Sequence, residues 1–207
     1  FVREGGVAMA HRGGSHESPE NTRAAFDHAT SLGYIYLESD IQVTRDGVAV
    51  LFHDATLDRV TNATGPVSAR TWAQLRSVRT PAGVDQFVRL DEILTAYPDQ
   101  RFNLDLKCEA AVEPFISFME SSRAFDRILA SSFSDDRLRR VRARLGSDLV
   151  TSAGPREVAG YVVGSWGLVG RGRGPQALQV PSSIKGVPIV TRSLVDHAHE
   201  RGRRASA

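Results

Sequence analysis

The sequence holds one cysteine, Cys108, in 207 residues. No internal disulfide can form, and a cysteine-rich zinc site is excluded. A lone thiol fits a reducing compartment, so a cytoplasmic location is the expectation. Long apolar runs are also missing. The longest tight one, Val48-Ala49-Val50-Leu51-Phe52, is strand-sized, against the ~20 residues of a spanning helix, so no transmembrane segment is expected. Charge of one sign is scarce: 26 Lys plus Arg face 24 Asp plus Glu, a net charge of +2. The arginine excess gathers in Arg137–Arg144 and Arg192–Arg204 without interleaved aromatics. That pattern reads as solvated helix faces and not as a nucleic-acid surface. The chain begins at Phe1 without a basic-then-apolar leader, although a cleaved leader would leave no trace.

What is present is ordinary for a globular protein: 41% hydrophobic and 24% charged residues, enough to build a core and too apolar for wholesale disorder. Strand and helix signals alternate along the chain. Val7–Ala10 reads as a buried strand, followed by a turn-rich stretch over residues 13–21. Asn21 or Thr22 caps a helix to about Ser31 with Ala24, Ala25, Phe26 and Ala29 on its apolar side, and Gly33 ends it. Tyr34–Val43 and Val48–Phe52 read as paired strands around the Arg45-Asp46-Gly47 turn. Helices are expected over Thr71–Val78, Leu90–Tyr97, Ala110–Ser121, Asp135–Leu145, Arg156–Val163 and Ser193–Arg201. Strands are expected over Arg101–Lys107, Arg127–Ser131, Asp148–Ser152, Gln176–Val180 and Val187–Val190. Gly164–Pro175 is Gly- and Arg-rich, lacks the Gly-Lys-Ser/Thr ending of a P-loop, and reads as a loop. Alternating elements of this kind argue for an α/β protein with a mostly parallel sheet.

Polar residues fall at the carboxyl ends of the expected strands, where parallel α/β folds build their sites. His11 and Arg12 follow the first, Glu38 and Asp40 lie in the second, His53 and Asp54 follow Phe52, and Asp105 and Lys107 close the fourth. Residues two apart in a strand share a face, so Glu38 pairs with Asp40, and Asp105 with Lys107. Three carboxylates held together repel unless a cation sits among them. All-oxygen ligands suit a hard ion, Mg²⁺ or Ca²⁺. His11 and His53 titrate near neutrality and suit proton transfer to and from oxygen. Arg12 and Lys107 supply the cationic contacts of a phosphate. The inventory points to a small phosphodiester as substrate. His16, His28, His197 and His199 read as structural or solvated.

These residues resemble the glycerophosphodiester phosphodiesterase family. The likeness runs through His11-Arg12-Gly13, Pro19-Glu20-Asn21-Thr22, Glu38-x-Asp40, His53-Asp54-x-x-Leu57-x-Arg59-x-Thr61 and Asp105-Leu106-Lys107. Fainter echoes follow at Ser131-Ser132-Phe133 and Gln179-Val180-Pro181. The resemblance implies a (β/α)₈ TIM-type barrel, a divalent ion held by Glu38, Asp40 and Asp105, and His11 and His53 as the acid–base pair. It implies that Arg12 and Lys107 bind the phosphate. Glu20 and Asn21 shape the first loop or contact the substrate, and Asp54 orients His53 or braces its turn. Two departures stand out. Asp105 occupies a position where many relatives carry Glu, and Asn62-Ala63-Thr64-Gly65 replaces a Thr-Gly-x-Gly run. Cys108 is expected to be buried and inert.

The expected activity is metal-dependent hydrolysis of a glycerophosphodiester to glycerol 3-phosphate and an alcohol. The alternatives are phospholipase D-like action on a lysophospholipid or sphingolipid, and a barrel that binds a phosphodiester without turnover. The chain is expected to be a single barrel domain over 1–207. Against the ~250 residues typical of such barrels, it reads as lacking the last strand–helix unit, with the terminus incomplete.

Overall fold

The computed structural model describes residues 7–165, 175–179, 183–184, 187–188, 191–192, 194–196 and 204–206. The chain divides into two compact units, Phe1–Leu129 and Ala130–Ala207. The first unit holds strands β1 (Met9–Ala10), β2 (Tyr36–Val43), β3 (Ala49–Leu51) and β4 (Arg101–Leu106). Its helices are α1 (Arg23–Ser31), α2 (Trp72–Leu75), α3 (Ile93–Ala96) and α4 (Val112–Ser122). β5 (Ile128–Ser131) carries the chain into the second unit. That unit contains α5 (Asp135–Leu145), β6 (Val150–Thr151), α6 (Pro155–Ser165), β7 (Ala177–Gln179), β8 (Ser183–Ile184), β9 (Val187–Pro188) and β10 (Arg204–Ser206).

β2 organises the first unit. β4 runs parallel along one edge, pairing Tyr36 with Arg101 through to Ile41 with Leu106. The other edge is shared. β1 lies parallel at Tyr36 and Leu37, while β3 lies antiparallel at Ile41 to Val43. The hairpin between β2 and β3 closes on Thr44, whose hydroxyl accepts from Val48 N at 2.9 Å and donates to Asp46 Oδ1 at 2.6 Å. Gly47 supplies the positive φ of +81° that the turn requires.

Helix α1 forms where expected. Thr22 caps it by accepting from Ala25 N at 3.1 Å, and Gly33 (φ +86°) follows its last turn. Ala25, Phe26 and Ala29 are buried, whereas Ala24 is exposed. The ring of Phe26 meets Tyr97 and Phe102 edge-on at 5.8 and 6.1 Å. Gly13 lies against that ring with φ +75°, and a Cβ there would sit 2.8 Å from Phe26 Cδ1. Gly13→Ala combines a left-handed backbone, worth ~1–2 kcal/mol, with overpacking worth ~1–3 kcal/mol. A loss of about 2–5 kcal/mol in urea denaturation is the expected result.

Several boundaries differ from the sequence reading. β2 begins at Tyr36, because Tyr34 N still donates to Ala29 O at the helix end. The helix expected over Thr71–Val78 shrinks to α2, since Arg79 pairs with Asn62 and Gln86 N donates to Val78 O, pulling the chain straight. Residues 54–89 build a small core onto the β3 segment, with Leu57, Val67 and Leu75 joining Val50 and Phe52 and packing with Trp72 and Phe87. Leu90–Tyr97 opens as a short 3₁₀ turn before α3.

In the second unit, α5 spans Asp135–Leu145 as expected, capped by Ser134 and burying Leu138 and Val141. Its arginines are not all solvated. Arg142 holds Glu157 at 2.6 and 3.0 Å, the Thr151 hydroxyl at 2.8 Å and Ser152 O at 2.7 Å. β10 lies parallel to β7, so Arg204–Ser206 forms a strand that the sequence reading leaves out. Backbone pairing along an open edge makes few demands on side chains, and no apolar pattern announces it. The expected loop gives up Gly164 and Ser165 to α6, and its residues 166–174 lie outside the described residues. The expected terminal helix is described at Arg192 and at residues 194–196, with the Thr191 hydroxyl accepting from Leu194 N. His197 and His199 lie outside the described residues. No helix among the described residues is long and apolar enough to cross a membrane.

Candidate active site

Two loops converge on the middle of β2 from opposite directions. The chain leaves β1 beside Leu37 and immediately enters a 3₁₀ turn at His11–Gly13. Arg12 takes a left-handed conformation there (φ 50°), and its backbone N–H donates to Glu38 Oε2 at 2.9 Å. β3 arrives antiparallel, and Phe52 N donates to Asp40 O at 2.8 Å. His53 follows, its carbonyl accepting from Gln42 Nε2 at 3.2 Å. Sharing one edge between β1 and β3 therefore delivers both candidate imidazoles beside the Glu38–Asp40 segment.

The acids meet across the β2–β4 ladder. Asp40 and Asp105 are register partners, and Glu38 faces Asn103 one step below. Asp40 and Asp105 are 1% and 5% exposed. The Lys107 ammonium lies between them, 2.8 Å from Asp40 Oδ1 and 2.6 Å from Asp105 Oδ2. Burial works against that charge, but the two carboxylates outweigh it and raise the Lys107 pKa. The second Asp40 oxygen accepts from Asn21 Nδ2 at 3.0 Å and lies 3.6 Å from Arg12 Nε. Glu38 is pushed up to about 8, first by burial and then by the Asp40 charge. Among the described residues, no three His, Cys, Asp or Glu side chains converge as a ready ligand shell. The donor chemistry nonetheless fits a hard divalent ion. Three oxygen-donor acids share one face, and Lys107 leaves Glu38 without a full cationic partner.

His11 is the most open group, its side chain 65% exposed and Nε2 3.8 Å from Glu38 Oε2. Partial burial, and then the neighbouring Arg12, hold its pKa below the ordinary imidazole value. His53 Nδ1 lies 2.6 Å from Asp54 Oδ1. Asp54 is held down to about 2, chiefly by hydrogen bonds from Arg59 and then from His53. An ionised carboxylate only accepts, so Nδ1 carries the proton of that bond, and in the neutral ring Nε2 is the nitrogen with the lone pair. Asp54 thus orients His53, one of the two roles open from sequence.

The remaining candidates are engaged within the loops. Asn21 is fully buried with φ 58°. It accepts from the Ser39 hydroxyl at 2.7 Å while donating to Asp40, a geometry that favours loop-shaping over substrate contact. Glu20 accepts from Arg12 at 3.1 and 3.2 Å and from Arg59 at 2.6 and 3.0 Å. Burial opposes its charge, but Arg59 and then Arg12 win and lower its pKa. Arg59 stands in the sequence motif without a role. Its partner Glu20 is 39 residues away, and no local pattern signals that pairing. Cys108 is half-buried and free, more open than expected, because it follows β4 at the point where the strand leaves the sheet. His28 pairs with Glu17 at 2.7 Å on the surface, as a solvated group.

The sequence matches the glycerophosphoryl diester phosphodiesterase family over residues 11–207. It is 36% identical to the probable glycerophosphodiester phosphodiesterase 2 of Mycobacterium tuberculosis, over 100% of this chain and 81% of that protein. The structure resembles the glycerophosphoryl diester phosphodiesterase domain of another M. tuberculosis protein, with a TM-score of 0.76, 21% identity and coverage of 95% and 85%. It also resembles an Oleispira antarctica phosphodiesterase solved with the product sn-glycerol-3-phosphate, with a TM-score of 0.73, 24% identity and coverage of 97% and 83%. The fold is thus α/β of the TIM-barrel type, and the class is that of a phosphodiester hydrolase. The chain belongs to the glycerophosphoryl diester phosphodiesterase family.

Proposed function

We propose that the protein hydrolyses glycerophosphodiesters to glycerol 3-phosphate and an alcohol. The observation that carries this reading is the meeting of Asp40, Asp105 and Lys107 across one ladder, with His11 and His53 brought to the same strand. The product bound to the O. antarctica relative supports the substrate class. In this reading Arg12 and Lys107 bind the phosphate oxygens, and Glu20 and Asn21 hold the loop that presents Arg12. Glu38, Asp40 and Asp105 would hold one divalent ion, Mg²⁺ or Ca²⁺. When bound, that ion supplies positive charge to the phosphate oxygens as negative charge grows there. One histidine takes the proton of the attacking hydroxyl, from water directly or from the substrate's own glycerol, in which case a cyclic phosphate forms first and water then opens it to glycerol 3-phosphate. The other donates a proton to the alcohol oxygen as its bond to phosphorus breaks.

The test is release of glycerol 3-phosphate from glycerophosphocholine by chelated, dialysed protein, before and after Mg²⁺ or Ca²⁺ is returned. Activity is expected to vanish with EDTA and return with the ion. Full activity after chelation would remove the metal from the reading. No release from any glycerophosphodiester would remove the activity itself.

A further inference from the structure

We propose that Arg59 is a positioning residue that sets the ring orientation and tautomer of His53 through Asp54. The inference rests on the proposed role of His53, and concerns a side chain for which the sequence offers no function. Arg59 makes a double fork. Nε and Nη2 donate to Asp54 Oδ2 and Oδ1 at 2.6 and 3.1 Å, while Nη1 and Nη2 donate to Glu20 Oε2 and Oε1 at 3.0 and 2.6 Å. Four of the five guanidinium N–H bonds are thereby spent on two carboxylates from two different loops.

The arrangement is directional. The Glu20 main chain is held independently by Gln86 Nε2, which donates to Glu20 O at 3.0 Å. Arg12 Nη1 also donates to both oxygens of the Glu20 carboxylate. Glu20 is therefore an anchored post, and Arg59 reaches from it to Asp54. Without that reach, the Asp54 side chain would be free to rotate towards water, because it is the smaller and more open of the two acids, 23% exposed against 13%. The His53 ring would then lose the acceptor that fixes the proton on Nδ1 and leaves Nε2 bare. Lysine does not substitute: a single ammonium has no planar fork with which to hold two carboxylates edge-on.

The test uses the full chain as Arg59→Ala, Arg59→Lys, Asp54→Asn and the Arg59→Ala/Asp54→Asn double variant. Two readouts are needed, ring-nitrogen NMR of labelled histidine and steady-state kinetics on glycerophosphocholine. The parent should show His53 with a protonated Nδ1. Both Arg59 variants should lose that signature and fall about 10- to 100-fold in kcat, as removal of partners that orient a histidine does elsewhere. Their KM should move less than about threefold. The double variant should be no slower than Asp54→Asn alone, since both act along one path. Arg59 is half-exposed, so the variants should fold, and the NMR spectrum reports this directly. Retention of the Nδ1–H signature in Arg59→Ala would overturn the proposal, as would full additivity in the double variant. An inactive parent whose His53 ring still responds to Arg59→Ala would sustain the positioning role and defeat the proposed hydrolysis instead.

Discussion

Replacing His53 by alanine is expected to lower kcat on glycerophosphocholine by ~10²–10⁴, and replacing His11 to do the same, each variant losing one of the two proposed acid–base groups. The two should differ in what else they disturb. The His11 side chain is 65% exposed and approaches Glu38 at 3.8 Å, so His11→Ala should keep the parent's unfolding free energy to within ~0.5 kcal/mol. His53 is the dependent end of the Glu20–Arg59–Asp54 chain, so His53→Ala removes one hydrogen bond to the Asp54 carboxylate and should cost more stability than His11→Ala. Steady-state kinetics together with urea melts separate the effects. Activity within about threefold of the parent in either variant would strike that histidine from the acid–base pair.

The second large effect is at Asp40. This carboxylate is 1% exposed and receives Lys107 and Asn21, with Arg12 Nε 3.6 Å away. Asp40→Ala strands the positive charge assembled around it. Breaking a buried ion pair on one side costs about 3–5 kcal/mol, and the lower end applies because Lys107 keeps Asp105 at 2.6 Å. Hydrolysis should disappear as well, since Asp40 is a proposed ion ligand and contacts Lys107 and Arg12, the two proposed phosphate-binding cations. Asp40→Asn keeps the shape and should cost less stability while remaining inactive. A midpoint change under ~1 kcal/mol for Asp40→Ala would show that the cluster is not a buried charge network.

Much of this was legible in the sequence because it follows local rules. Thr22 caps α1, α5 spans Asp135–Leu145, and the Glu38-x-Asp40 spacing places both acids on one face. What escaped was non-local or made by backbone. Arg59 bonds Glu20 across 39 residues. Lys107 folds back onto Asp40 and Asp105 instead of pointing at open solvent. Asn21 turns inward because a left-handed residue in a buried turn can span Ser39 and Asp40 at once. The strand at Arg204–Ser206 carries no apolar alternation at all. Residues 54–89 looked irregular because their small core is gathered from scattered single residues, not from a periodic stripe.

The antiparallel return of β3 acts as a length gauge. Ile41 opposite Leu51 and Phe52 N on Asp40 O fix how far down β2 the returning chain reaches. Since side chains alternate with every residue, deleting one residue from Ala49–Leu51 would put His53 where Phe52 belongs, sending an imidazole into an apolar core and away from the site. The same deletion at the tip, around Asp46 and Gly47, leaves His53 in register and disturbs instead the turn and the Asp46 bond to Trp72 N at the start of α2. The placement of His53 should therefore be sensitive to length in one part of this hairpin and indifferent to it a few residues away.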